Sequence, residues 1–447
     1  MNNNNAVKIL NEVDCLYLLI GSKHYIMLIF YLLYEKIITS MKKENEHYDI
    51  VLIGAGLVGL MMALFLAKNK IKVTLIEKNK LKENNDQLKD ERTTAISQGT
   101  KRILMKFNLW GLIKKHVQPI EKIEVIDNSM HKSLTFDSKI LDEGDLGFIV
   151  ENNLFKNFLI KEVNKSNYIN LIDETIVRDI KIDDLDLDEK AQVWIGSKII
   201  TSNLIISADG RLSLSRNFVN IKSYNHFYRQ NAYVFIMQHE KNHKGIALEK
   251  FFPEGPLAIL PMKKENRYFF QSSVVWTLDE SLGDLSKLTK KEFKSEFLVR
   301  YDNHLGKVLA LTTPKTYPLS LTYAYENFKN RIVFIGESSQ GIHPIAGQGF
   351  NLGVRDCDVL LDSLILGIKS GMDLGSPEIL SEYSSKRMID KRLFITSTHL
   401  LNNLFSSRNT TLSFFRSNGL RLVDNLPLLK KGFMNLAMGL KNLNLNG

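Results

Sequence analysis

The chain has 447 residues, enough for two or three structural units around sizeable cores. Ordinary apolar content with modest Pro and Gly excludes disordered, collagen-like and coiled-coil classes, and two cysteines exclude a disulfide scaffold or a cysteine-rich metal site. The formal charge of +10 comes from lysines spread along the whole chain. That pattern reads as a plain lysine-rich surface, with attraction to anionic lipid as the alternative. No basic stripe interleaved with aromatics points to nucleic acid.

Residues 1–40 run from an asparagine tract into "CLYLLIGSKHYIMLIFYLLY". Lys23 and His24 interrupt this apolar stretch, and a membrane-spanning helix needs about 20 apolar residues in succession. No charged start or small-residue cleavage site marks a signal peptide. The segment is expected to be an extension outside the folded part, with Met41 a natural start. A membrane-contacting amphipathic leader is the other reading.

From residue 48 the pattern is regular. "YDIVLI" reads as a buried strand, "GAGLVG" as a turn, "LVGLMMALFLAKNK" as a helix and "KVTLIEKN" as a second buried strand. This βαβ unit implies a parallel sheet with a right-handed crossover. "TTAISQGTKRILMKFNLWGLI" reads as a helix ending near Trp110. Residues 120–148 alternate like antiparallel strands, and "NNLFKNFLIKEV" is helical. Strands follow at 176–182, in "AQVWIG" and "KIITSNLIISADG", and between 224 and 276, with turns at "FFPEGP" and "KKENR". A charged helix is expected near 285–298, then the strand of "NRIVFIGESS", then helices to the end.

Gly54, Gly56 and Gly59 have the G-x-G-x-x-G spacing between a strand and a helix. The first permits the tight turn, the second admits a pyrophosphate, and the third lets helix and strand pack closely. The helix N-terminus offers free N–H groups and positive dipole to phosphate. Glu77 closes the second strand, where a carboxylate would accept ribose hydroxyls. The spacing points to a dinucleotide. A second glycine-rich stretch, "IGESSQGIHPIAGQGFNLG", lies at 335–353. "HEKNH" at 239–243 satisfies the zinc-protease pattern, yet that pattern needs a helix, and strand-like sequence flanks it on both sides. No metal site is expected.

"DERTTAIS", "ISADGRLSLSR" and the second glycine stretch, added to the N-terminal glycines, resemble the flavoprotein aromatic hydroxylases of the para-hydroxybenzoate-hydroxylase fold. "NRIVFIGESSQGIHPIAGQGFNLGVRD", "ALEKFFPEGPLAILPM" and "GFIVENN" resemble most closely the hydroxylases of ubiquinone biosynthesis. The resemblance implies an α/β fold: a Rossmann-like FAD-binding domain, an inserted mainly antiparallel β-sheet substrate domain and a helical C-terminal segment. The expected divisions are 41–120, 148–223 and 315–392 for FAD, 121–147 and 224–314 for substrate, and 393–447 for the C-terminal helices.

The resemblance also implies roles. Gly54, Gly56, Gly59 and Glu77 would hold the ADP half of FAD, and Arg92 would lie along the cofactor. Asp209 and Gly210 would support the pyrophosphate side, Gly336 and Glu337 the ribityl and phosphate portion. Pro344, Gly347, Gln348, Gly349 and Asn351 would run beneath the flavin ring, where a helix N-terminus favours the charge of the reduced ring. His343 is a candidate pocket residue or a plain turn residue. Three positions depart from the family: Glu337 stands where Asp is usual, Gln340 where His is usual, and Asn153 where Arg is usual.

The implied activity is hydroxylation of a polyprenylated phenol in ubiquinone biosynthesis, through a flavin hydroperoxide. Its cofactors would be FAD, dioxygen and reduced nicotinamide or another electron donor. Expected partners are the phenol substrate, a membrane surface and a quinone-biosynthesis complex, with no nucleic acid. The expected location is the cytoplasm, at the inner face of the membrane where peripheral. A flavin dehydrogenase or reductase on the same fold, and a non-catalytic member of such a complex, remain open at this point.

Overall fold

The computed structural model describes residues 46–83, 92–127, 132–183, 186, 189–264, 268–344, 347–406 and 423–440. The expected extension at 1–40 lies outside the described residues.

The βαβ unit forms as its pattern predicts. Glu46–Ile53 pairs in parallel with Val73–Ile76 on one side and Lys198–Ser207 on the other, with Leu52 opposite both Leu75 and Ile206. The sheet runs in the order Phe328–Lys329, Ile332–Phe334, Lys198–Ser207, Glu46–Ile53, Val73–Ile76, Ile169–Ile172. Val177–Lys181 and Ala191–Ile195 extend it antiparallel beside Lys198–Ser207. Helix Leu57–Lys68 is apolar nearly all round and buried from Gly59 to Ala67. A helix without a polar face must be covered on several sides. The sheet, Asn152–Asn164 and Gln348–Lys369 supply that cover through one shared core.

A nine-stranded sheet forms the second layer system. Its order is Gln340–Gly341, Lys315–Ala324, Ser223–His239, Phe270–Asp279, Gly255–Pro261, Ile246–Phe252, Lys122–Asp127, Lys132–Asp137, with Val308–Leu311 on Ser223–His239. Its outer face carries Tyr233, Phe235, Trp276 and Leu257, covered by Phe293, Phe297 and Tyr301 of helix Lys290–Tyr301. That helix begins at a Thr289–Glu292 capping box, which sets its start five residues later than the sequence pattern suggests.

Two further differences have local causes. Thr93–Ser97 is a strand, because these largely β-branched residues pair with Gly147–Glu151 in a small third sheet; the helix begins only at Gln98, capped by Ser97. It ends at Lys106, just before left-handed Asn108, and Trp110–Ile113 forms a separate turn of helix. Lys315–Ala324, expected with the FAD-binding part, pairs instead along Ser223–His239 in the nine-stranded sheet. The fold is α/β, with a Rossmann-like parallel sheet, a mainly antiparallel second sheet and C-terminal helices.

Candidate active site

The strand Glu46–Ile53 delivers the chain into the first glycine turn. Gly54 has φ +99°, and a Cβ there would lie 2.6 Å from the Ala208 carbonyl oxygen. At Gly59 a Cβ would sit 1.9 Å from the Gly54 oxygen, so both positions exclude any side chain. Gly56 is different: it is exposed, nothing would meet its Cβ within 4 Å, and the helix starts there without a side-chain cap. Free amide groups therefore border open space, as an anion requires. Glu77 reaches back to this turn. One carboxylate oxygen accepts the Ala55 N–H at 2.7 Å, and the other accepts the Asn79 backbone and side-chain N–H groups at 3.0 Å.

The Asp209–Gly210 turn follows the neighbouring strand. Asp209 accepts the Ser207 hydroxyl at 2.8 Å and the Ser215 N–H at 3.1 Å, so its carboxylate braces the loop. The basic residues after it tie this loop to the second glycine stretch. Arg211 donates to the Ser320 carbonyl at 3.0 Å and pairs with exposed Glu337 at 3.3 Å; buried Arg216 donates to the carbonyls of Ser338 and Arg211, each at 2.6 Å.

The two glycine motifs meet at Val58. A Cβ at Gly336 (φ +60°) would lie 3.1 Å from the Val58 side chain, and one at Gly353 would lie 2.6 Å from it. The loop at Gly336 is fixed from below by Asp356, which is fully buried. Its Oδ2 accepts Gly336 N–H at 3.0 Å and the Gln340 amide at 3.1 Å, while its Oδ1 accepts Arg387 at 2.7 Å and lies 3.3 Å from Lys391. Lys391 also donates to Ser339 at 2.9 Å. Burial pushes its pKa down to about 8, against the opposing pull of Asp356. Gln340, the departure from the family's usual histidine, thus retains a donor aimed at Asp356.

Gly347 has φ +60°, and its N–H donates to the carbonyl of exposed Pro344 at 2.9 Å. Helix Gln348–Lys369 starts there without a side-chain cap, and a Cβ at Gly349 would meet Ile342 Cγ1 at 4.0 Å, an ordinary contact. Asn351 is fully used within the protein. It accepts Ser97 N–H at 2.9 Å and donates to the carbonyls of Ala95 (2.9 Å) and Gly347 (3.3 Å), locking the helix start to the Thr93–Ser97 strand. Gln348 donates to the Ala437 carbonyl at 3.2 Å. Arg92 is exposed and lies over the Tyr317 ring, 5.2 Å from its centre. Beside it the buried Thr93 hydroxyl has no hydrogen-bond partner among the described residues.

His343 is completely buried, with Nε2 3.3 Å from the Gln230 side-chain oxygen and its ring edge-on to Tyr228. Burial, reinforced by Arg211, pushes its pKa down to about 3, so the ring is neutral. The "HEKNH" histidines lie at a strand end and in the connection to Ile246–Phe252. His239 is hydrogen-bonded to Lys241 and Ser272, His243 to Met262.

These residues fit an extended dinucleotide. Gly56 leaves room where backbone must approach a ligand, the helices after Gly56 and Gly347 both start without a side-chain cap, and Glu77 stands at the mouth of the first turn. Sequence reasoning missed Asp356, Arg387 and Lys391. Asp356 closes the quoted "NLGVRD", and Arg387 and Lys391 recur at i, i+4 on one face of helix Pro377–Ser406.

A family profile described as FAD binding domain matches residues 47–392. The chain is 32% identical to the ubiquinone hydroxylase UbiL of Rhodospirillum rubrum over 88% of its own length and 89% of that protein. It is 27% identical to the 3-demethoxyubiquinol 3-hydroxylase of Escherichia coli, covering 89% of this chain and all of that one. The p-nitrophenol 4-monooxygenase PnpA of Pseudomonas putida shares the fold, with a TM-score of 0.74 at 17% identity over 90% of this chain and 100% of that one. The chain belongs to the FAD-binding family of flavoprotein monooxygenases, the family of the ubiquinone hydroxylases.

Proposed function

We propose that this FAD-dependent monooxygenase hydroxylates the aromatic ring of a polyprenylated phenol, a ubiquinone precursor. The observation that carries the reading is the meeting of two glycine turns at Val58, each leading into an uncapped helix start. Gly54, Gly56, Gly59 and Glu77 would hold the ADP half of FAD. The 336–351 stretch would hold the ribityl chain and ring, with Asp209, Gly210 and Arg92 along the cofactor. Bound FAD supplies the redox chemistry that uses reduced nicotinamide and dioxygen. The protein's own share is positional: Asn351 fixes the helix start, Asp356 fixes the ribityl loop, and the surrounding core excludes water.

A membrane surface is the partner that suits a prenylated substrate. No helix among the described residues is long and apolar enough to cross a membrane. Helix Pro427–Ala437, however, exposes Leu428, Leu429 and Phe433 next to Lys431, while its buried side sets Met434 and the Ala437 carbonyl against the site.

The test is turnover of the FAD-loaded enzyme with reduced nicotinamide, a short-chain 2-prenylphenol and isotopically labelled dioxygen. One labelled oxygen in the phenol product is expected. Nicotinamide oxidation with no label in the ring would sink the reading and favour a reductase.

A further inference from the structure

The inner face of the nine-stranded sheet carries a carboxylate that the site described above does not use. Side chains alternate along Ile246–Phe252, so Leu248 and Lys250 point to the outer face and Ala247, Glu249 and Phe251 to the inner one. Glu249 lies opposite Ala258 on one neighbouring strand and Val125 on the other. Beyond Ala258 the same row continues through Val275 and Val234 to Lys315.

Among the described residues this row is incompletely covered. Val125, Glu249, Ala258 and Val275 are all half-buried, whereas the outer-face residues beside them, Leu248, Leu257 and Trp276, are fully packed. The uncovered stretch adjoins the cofactor region at two edges. Ile236 and Leu260 of the inner face cluster with Ala95 and Met434, and Tyr317 meets Arg92. A part-exposed, largely apolar surface carrying one polar group beside the cofactor region suits a ring-bearing substrate.

Glu249 has no hydrogen-bond or ion-pair partner among the described residues. Its charged neighbours turn away: Glu124 sits beside Leu248 on the outer face, and Lys250 lies 3.7 Å from Asp302 there. Helix Pro377–Ser406 brings apolar Leu404 to Phe251. Strand Lys132–Asp137 places Leu134 beyond Val125. Lys315, the cation of the row, is four strands away, about 19 Å at ordinary strand spacing. Burial alone moves the carboxyl, pushing its pKa up to about 7.

We infer that Glu249 is the proton acceptor for the substrate's phenol hydroxyl. The phenolic O–H bond breaks as a Glu249 O–H bond forms, and the electron pair left on the phenol oxygen enriches the ring that is to be hydroxylated. No oxidant is needed for this step. A carboxyl group poised near neutrality suits it, since it is ionised to receive the proton yet basic enough to draw it. The assignment rests on the hydroxylase reading.

Two measurements on the FAD-loaded enzyme test it, with 2-prenylphenol as probe. In infrared difference titration, a protonated-carboxyl band is expected to titrate near neutral pH in the wild type and to be missing in Glu249→Gln. Probe binding is expected to shift that band, whether or not turnover follows. In turnover, Glu249→Gln is expected to be about 100-fold slower, without the acid limb of the rate profile and with KM little changed, while Glu249→Asp recovers part of the rate. A folded, FAD-loaded Glu249→Gln enzyme with wild-type rate and profile overturns the assignment, as does a band unmoved by the probe. Absence of label in the product overturns the hydroxylase reading instead, whatever the band does.

Discussion

Asp356 accepts the backbone N–H of Gly336 at 3.0 Å, from a helix whose start also faces the cofactor region. The contact joins the Gly336 loop to that helix, and the buried cations Arg387 and Lys391 compensate the charge. Asp356→Asn leaves them short of an anion, and breaking a buried pair costs about 3 kcal/mol or more. The expected outcome is a lower melting temperature and FAD lost during purification, read by calorimetry and flavin absorbance.

Gln340 carries the milder version of the same experiment. Gln340→Leu removes one donor from Asp356 while leaving Gly336 and both cations in place. Loss of a hydrogen bond to a charged group costs about 1.5–3 kcal/mol. Urea denaturation of the cofactor-free protein should show it, with a smaller drop in FAD content than Asp356→Asn produces.

Gly56 and Gly59 separate cofactor binding from folding. Gly59→Ala forces a Cβ onto the Gly54 carbonyl and should prevent a stable fold or FAD binding altogether. Gly56→Ala meets open space, so the cofactor-free protein should keep its stability within about 0.5 kcal/mol while FAD titration shows markedly weakened binding. Equal losses in both measurements would contradict placing the pyrophosphate at Gly56.

His343 gives the protein an acid-side sensitivity. Its pKa falls from 6.5 to about 3 on folding, so the unfolded chain binds the proton more tightly. The stability tied to the neutral ring is present in full above pH 6.5 and is lost as pH falls from 6.5 towards 3. His343→Gln should therefore flatten the curve, losing about 2 kcal/mol less than wild type between neutral pH and pH 5. Denaturant midpoints measured across that range check it.

The features visible in the sequence were those a single stretch determines. The apolar strand, glycine turn, apolar helix and closing Glu77 are consecutive, so their spacing alone implies a phosphate-binding turn. Thr93–Ser97 was misread because the residue that makes it a strand is its pairing partner, Gly147–Glu151, some fifty positions on. Asp356 lay in plain view, but its role depends on Arg387 and Lys391, cations of a separate helix that no local pattern connects to it. Gln340 looked like a defect by comparison with the family; in the fold its amide faces a carboxylate and has a use. Glu249 was invisible for the opposite reason, since alternation in a strand gives its face but says nothing of what is left uncovered there.

The contact at Val58 has a consequence for how the enzyme is made. Gly54 to Gly59 emerge early in synthesis, while Gly336 and Gly353, which close over the same side chain, emerge almost three hundred residues later. With FAD placed across both turns as proposed, half a cradle would grip the dinucleotide poorly, and capture would wait for the ribosome to deliver the second half. On that placement, flavin supply would act on a nearly finished chain.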